Sequence, residues 1–179
     1  AHVETVKRCA RHQSYSRQRG LEFDRDGLIA RSGTVDAELL ASLDALPFYS
    51  QTGAKSLGRE WVEKEIFPMI DSRGLEFADL LSTFTEHAAR QVARVVRRVG
   101  KPHPTMLITG GGALNIYLVE RIRELAGCEV KIPPRQIIEF KEALIFAFLG
   151  ALYMAGEASC LSSVTGAACD NIGGMLFKI

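Results

Sequence analysis

Several things are scarce in this chain, and each scarcity removes a class of function. Cysteine is rare and scattered. Cys9, Cys128, Cys160 and Cys169 form no Cys-x-x-Cys pair and have no histidine at ligand spacing, so neither a zinc site nor a disulfide framework is expected, and the thiols read as reduced and cytosolic. Neither sign of charge dominates. Lysine and arginine number 22 against 21 aspartates and glutamates, a net charge of +1, which gives no reason to expect nucleic acid or a membrane surface as the main partner. The longest apolar run, Ala143 to Ala155, is too short to cross a bilayer and starts beside Lys141 and Glu142. No signal peptide is legible. The chain opens on Ala1 rather than methionine, which suggests processing, trimming or a fragment. No Ser/His/Asp set with a local signature is present, so nucleophilic hydrolysis has little support.

What remains is ordinary globular composition, 47% hydrophobic and 24% charged over 179 residues, enough for one domain or two small lobes. The centre of the chain is Thr105-Met-Leu-Ile-Thr-Gly-Gly-Gly-Ala-Leu-Asn115. Met106 to Ile108 have β-character, and Gly110, Gly111 and Gly112 follow. Apolar residues at 116, 118, 119, 122 and 125 then fall at helical spacing. Strand, glycine turn and helix suit a phosphate, because glycines admit close approach and a helix start offers N–H groups and a positive dipole end. The plain alternative is a tight strand-to-helix turn in any α/β domain. Glu129 to Ile132 reads as a second strand closed by Pro133-Pro134, completing a βαβ unit with parallel pairing.

Elsewhere the pattern is mainly helical. Residues 1–20 are basic and poorly patterned, with Lys7, Arg8, Arg11, Arg17 and Arg19 against Glu4, a solvated helix or frayed end rather than a nucleic-acid arm. Asp24-Arg-Asp-Gly27 reads as a turn, and no distal glutamate follows to make it a calcium loop. Thr34 is the expected cap of a helix over Val35 to Leu46, broken at Pro47. Gln51 to Glu60 is a glycine-punctuated loop without a Walker pattern. Its Lys55 and Arg59 could hold an anion or be two solvated cations. Glu76 to Val99 is the longest helix, its stripe running Phe77, Leu81, Phe84, Ala88, Val92, Val95 and Val99. Asp79 at its start and Arg94, Arg97 and Arg98 at its end complement the dipole, and His87 reads as a surface or boundary residue. Gln136 to Tyr153 is apolar on nearly every side and is expected to be buried between layers. Glu142 is its exception, either solvated at the helix mouth or aimed into a cleft. Ile172 to Ile179 is expected to close the chain as a strand.

Taken in order, Asp26-Gly27…Ala30…Gly33, Lys55-Ser-Leu-Gly-Arg-Glu60, Thr109-Gly-Gly-Gly-Ala-Leu-Asn115, Glu142-Ala-Leu-Ile-Phe-Ala147 and Ser162-Ser-Val-Thr-Gly-Ala167 with Gly173 resemble the C-terminal half of the anhydro-N-acetylmuramic acid kinases. These are cytoplasmic sugar kinases of the actin/hexokinase/Hsp70 superfamily. The resemblance implies an α/β fold, the C-terminal lobe of an actin-like (ribonuclease H-like) ATPase, with a short mixed sheet and packed helices over residues 21–179. It implies phosphorylation of 1,6-anhydro-N-acetylmuramic acid by ATP and Mg²⁺, with water opening the anhydro bridge to give N-acetylmuramic acid 6-phosphate in peptidoglycan recycling. Gly110, Gly111 and Gly112 would then face ATP, with Asn115 starting the adjoining helix. Glu142 would lie near the sugar, and Lys55 and Arg59 would match a signature of substrate contact or loop bracing. The family's first phosphate loop and its Asp-x-Gly-Pro-Gly-Asn type segment, which carries the general base, are not legible here. This chain alone is therefore expected not to turn over, and its implied partners are nucleotide, amino sugar and the N-terminal lobe of the same kinase, with homodimerisation left open. A degenerate lobe that binds nucleotide without catalysis is the rival reading.

Overall fold

A computed structural model describes residues 24–51, 58–100, 102–175 and 177. The fold is mixed α/β and mostly helical, with one small parallel sheet among the described residues. It divides into two compact units, residues 1–132 and 133–179. The basic segment 1–20 lies outside the described residues.

The first unit begins with a turn held by a buried carboxylate. Asp24 accepts hydrogen bonds from the backbone N–H of Ile29 at 2.9 Å and Ala30 at 3.1 Å, satisfying donors that the start of a helix leaves open. Asp26 and Gly27 take left-handed conformations, with φ of 57° and 74°, and α1 (Leu28–Ser32) follows. Helix α2 (Ala37–Asp44) is shorter than expected. Its cap is Asp36, which accepts from Leu39 N at 2.6 Å. Thr34 is not the cap; its own N–H donates to the Asp79 carboxylate at 2.7 Å. Both residue types cap well, and the pull of Asp79 decides between them. Pro47 opens α3 (Pro47–Ser50) at a position where no N–H is required. Helix α4 (Arg59–Trp61) widens into a π-turn (Val62–Ile66) before α5 (Phe67–Asp71). Pro68 has no N–H for the carbonyl one turn back, and the widened turn sits directly ahead of it.

Helix α6 (Phe77–Val99) is the spine of the unit and ends at Gly100 with φ 64°, the left-handed exit that glycine favours. It packs against α1 and α2. Buried Leu39, Leu43, Ile70, Leu80 and Phe84 belong to the core they share. The expected stripe holds from Phe77 to Phe84 but fails at its far end, where Val95 is 60% exposed. Nearer the start, burial goes almost all round, because different helices cover different sides of α6.

His87 is the clearest correction there. It is 3% exposed, with Nδ1 2.8 Å from Asp44 Oδ1 and Nε2 2.8 Å from Tyr49 Oη, since α2 and α3 fold over the face it occupies. Burial holds the imidazole below its ordinary pKa, with Arg90 and Arg94 acting the same way and Asp44 offsetting part of the effect. A group of depressed pKa takes up its proton more readily unfolded, so stability falls as pH drops below the ordinary value of about 6.5, by up to about 1.4 kcal/mol per pH unit, until the folded pKa is passed. His87→Gln is expected to flatten this slope in denaturant titrations across that range. An unchanged slope would assign the titration to another group.

Strand β1 (Thr105–Leu107) pairs in parallel with β2 (Glu129–Lys131), Met106 standing opposite Val130. Helix α7 (Ile116–Ala126) joins them. The expected βαβ unit is therefore present, shifted by one residue at β1, and Ile108 N still donates to Lys131 O at 2.9 Å. Ala89 and Ala93 of α6 meet Ile122 and Ala126 of α7 in a second cluster, with Met106 and Val130 against it. Short side chains let the two helices approach closely there.

The second unit is dominated by α8 (Arg135–Ala155). Its apolar sequence led to an expectation of burial on every side, and that is overturned. Among its residues only Ile138 is buried, while Phe140, Leu144, Phe148 and Met154 are exposed and Phe146 is 71% exposed. A helix apolar all round needs cover on several sides, and the short segment that follows does not supply it. That segment carries α9 (Ser162–Thr165), tied by Asp170, which accepts from Ser162 N and Oγ at 2.6 Å. A single antiparallel bridge joins Cys160 and Asn171. The strand expected from Ile172 onward is not formed over residues 172–175. Among the described residues no helix is long and apolar enough to cross a membrane.

Candidate functional site

The glycine turn leaves β1 in a conformation only glycine adopts comfortably. Gly110 has φ 80° and ψ −176°, a region closed to residues with a β-carbon. A 3₁₀ turn over Gly111–Leu114 follows, with Ala113 N donating to Gly110 O at 3.0 Å and Asn115 N to Gly112 O at 3.2 Å. Asn115 then caps α7, its Oδ1 accepting from Leu118 N at 2.9 Å. The carbonyl of Asn115 is thus committed to its own helix.

The glycines of this region divide by what a β-carbon would meet. At Gly111 it would meet nothing within 4 Å, and at Gly112 only Leu118 Cδ2 at 3.8 Å. Packing within the described chain therefore does not demand glycine at either position, and their outer face is bare backbone. Beside them Thr109 Oγ1 is buried without a hydrogen-bond partner among the described residues, an exception to the rule that buried hydroxyls are satisfied. A bare backbone turn, a helix start and an orphaned hydroxyl suit a ligand rich in acceptor oxygens, such as a nucleotide phosphate. Among the described residues no group of three or more His, Cys, Asp or Glu side chains gathers to hold a metal.

Gly27 and Gly33 answer to packing instead. A β-carbon on Gly27 would lie 2.3 Å from Asn115 Oδ1 and 2.7 Å from Tyr117 Cβ, and one on Gly33 would lie 2.2 Å from the backbone of Ala78. The stretch Asp26-Gly27…Ala30…Gly33 thus acts as a buttress between α7 and α6. Arg31 strengthens it, pairing with Glu120 and lying over the Tyr117 ring at 5.0 Å.

Underneath, Glu86 of α6 accepts from Arg121 Nε at 2.8 Å and from Arg90 Nε at 3.0 Å. Burial pushes its carboxyl upward, but the hydrogen bonds and charges of Arg121 and Arg90 outweigh that and hold it below the ordinary value. Arg121, raised by its bond to Glu86, pairs also with Glu124. This cluster escaped sequence reasoning because Glu86 falls inside the apolar half of α6. The spacing of Glu86 and Arg90, one turn apart, was the only local signal.

The other expected site residues belong to other elements or fall outside the described residues. Glu142 is on α8 in the second unit and is exposed. Arg59 opens α4, its side chain lying outside what is described, and Lys55 is outside the described residues altogether.

Comparison with known proteins adds the family. The family model for anhydro-N-acetylmuramic acid kinase matches residues 11–178. An anhydro-N-acetylmuramic acid kinase of Variovorax paradoxus (strain S110) is 38% identical over 170 residues, covering 88% of this chain and 44% of that protein. One of Xanthomonas oryzae pv. oryzae (strain MAFF 311018) is 36% identical over 173 residues, 94% of this chain and 44% of its own length. One of Sulfurimonas denitrificans is 32% identical over 177 residues, 91% of this chain and 47% of its own. The chain spans somewhat less than half the length of these relatives.

Proposed function

The chain belongs to the anhydro-N-acetylmuramic acid kinase family, and we propose that it serves as the nucleotide- and sugar-contacting C-terminal part of such a kinase. The substrates in this reading are ATP with Mg²⁺ and 1,6-anhydro-N-acetylmuramic acid, the product N-acetylmuramic acid 6-phosphate, and the setting cytoplasmic peptidoglycan recycling on an actin-like fold. The observation that carries it is the Gly110–Gly112 turn, whose outer face is bare at Gly111 and whose neighbour Thr109 holds an unpartnered hydroxyl.

ATP bound with Mg²⁺ would supply the transferable phosphoryl group and a cation to spread its charge. The chain's own part is positioning. Backbone N–H groups of the turn and the start of α7 would cradle phosphate oxygens, and Thr109 Oγ would give one further hydrogen bond. Glu142 would accept hydrogen bonds from sugar hydroxyls and orient the attacked carbon. Lys55 and Arg59 would brace or contact the substrate. The general-base aspartate and the first phosphate loop would come from an N-terminal lobe, and the uncovered apolar face of α8 is assigned to that lobe. The relatives' length, less than half of which this chain spans, supports this assignment. Symmetric self-association through α8 in the full-length polypeptide would overturn it.

The test is a coupled ADP-release assay with the anhydro sugar on the longest native polypeptide carrying this sequence. Turnover abolished by Glu142→Ala and by Gly111→Val is the expected result. Gly111 has no positive φ and open space at its β-carbon, so Gly111→Val should leave stability within about 0.5 kcal/mol. The same branched side chain would stand where phosphate approaches. Nucleotide affinity unchanged in Gly111→Val would remove the turn from the site. Nucleotide binding without turnover, in a polypeptide of the relatives' length, would favour the degenerate lobe.

A further inference from the structure

Gly27 carries no reactive group, yet it touches the cap of α7 more closely than any side chain could. Its missing β-carbon would stand 2.3 Å from Asn115 Oδ1, the atom that caps α7 through Leu118 N. The backbone N–H of the same Asn115 closes the 3₁₀ turn on Gly112 O at 3.2 Å. Displacing Asn115 therefore displaces the C-terminal end of the glycine turn. Nor can the Gly27 side yield easily. Asp24, buried, holds Ile29 N and Ala30 N with its two carboxylate oxygens, and Gly27 itself sits at φ 74°, where an alanine would be strained.

We propose that Gly27 is a positioning residue for the nucleotide turn, setting through Asn115 where the backbone of Gly110 to Gly112 meets phosphate. The proposal rests on the nucleotide reading of that turn. It separates two roles for glycine around one ligand, with Gly111 leaving room outside the turn and Gly27 leaving room behind it. A misplacement of about 1 Å in a positioning group is enough to weaken a site by an order of magnitude or more.

The experiment compares Gly27→Ala with Gly127→Ala in the full-length polypeptide. Gly127 lies at the other end of α7 with φ 61° and no atom within 4 Å of its β-carbon position, so it reproduces the backbone strain without the collision. The readouts are the affinity for mant-ATP with Mg²⁺ and amide hydrogen exchange over residues 110–118. Gly27→Ala is expected to bind mant-ATP roughly tenfold more weakly and to exchange faster over that segment, while Gly127→Ala does neither. Equal affinities in the two variants, or unchanged exchange in Gly27→Ala, would overturn the proposal. Should Gly27→Ala not fold, Arg31→Ala loosens the same buttress from an exposed position by removing the contacts to Glu120 and Tyr117. Exchange over residues 110–118 should rise there too, and its failure to rise overturns the proposal equally. A wild-type protein that binds no mant-ATP sinks the nucleotide reading instead, with exchange still deciding whether Gly27 holds the turn.

Discussion

Gly33→Ala should lower the melting temperature by about 10 °C, corresponding to a loss of about 3 kcal/mol, at the upper end of what overpacking costs. The backbone itself does not forbid alanine, since Gly33 has φ −89° and ψ 166°, ordinary extended values. The obstacle is α6. A β-carbon would lie 2.2 Å from both the carbonyl carbon and oxygen of Ala78 and 2.6 Å from Asp79 N. These are backbone atoms of a helical first turn, so no rotamer change relieves the collision. Translation of the segment is opposed by two bonds to α6 just after Gly33, Thr34 N to the Asp79 carboxylate at 2.7 Å and Asp36 N to Thr83 Oγ1 at 2.9 Å. Strain must therefore appear as separation of α1 and α2 from α6, across the core of Leu39, Leu43, Leu80 and Phe84. Thermal unfolding followed by far-UV circular dichroism decides the matter, and a midpoint within about 2 °C of wild type would show that the segment can shift after all.

Three kinds of information explain which features could be read from the residues. Period and punctuation are local, so the βαβ unit, the span of α6 to Val99 and the glycine turn are legible in the residues themselves. Choice between equivalent local signals was not legible. Thr34 and Asp36 are both good caps, and only the distant Asp79 and Thr83 separate them. Burial was least legible, because it depends on what other elements cover. Nothing in the sequence around His87 announces that Asp44 and Tyr49 come from two other helices to enclose it. Conversely, the apolar stretch Ala143 to Leu149 reports a demand for cover without saying which polypeptide meets it. The candidate site shows the same division. Gly110 to Gly112 could be singled out by composition, whereas the roles of Gly27 and Gly33 depend on which backbone or cap lies opposite each.

The second large effect concerns the carboxylate that joins the spine to the helix carrying the glycine turn. Glu86→Ala should destabilise the protein by about 3 kcal/mol, near the lower end for breaking a buried pair by removing one member. Glu86 is 5% exposed, and its two oxygens divide between Arg90 on its own helix and Arg121 on α7. Truncation leaves Arg121 inside the α6–α7 contact with Glu124 as its remaining acid. Its partial exposure lets the guanidinium turn toward water, which keeps the loss from reaching the upper end. The sign with pH follows from the depressed pKa of Glu86. Its contribution is complete above the ordinary carboxylate value and is lost as pH falls through the lower folded value, because the unfolded chain then binds the proton first. Glu86→Gln keeps the shape and one acceptor but cannot titrate, so its deficit against wild type should be large near pH 7 and shrink toward about pH 3. Urea titrations at the two pH values read this directly, and a deficit independent of pH would mean that shape, not charge, holds α6 to α7. The distinction reaches the site. If charge is the bond, acid loosens the base of α7 while the buttress of Gly27 against Asn115 still grips its cap, and nucleotide affinity should fall with pH later than stability does.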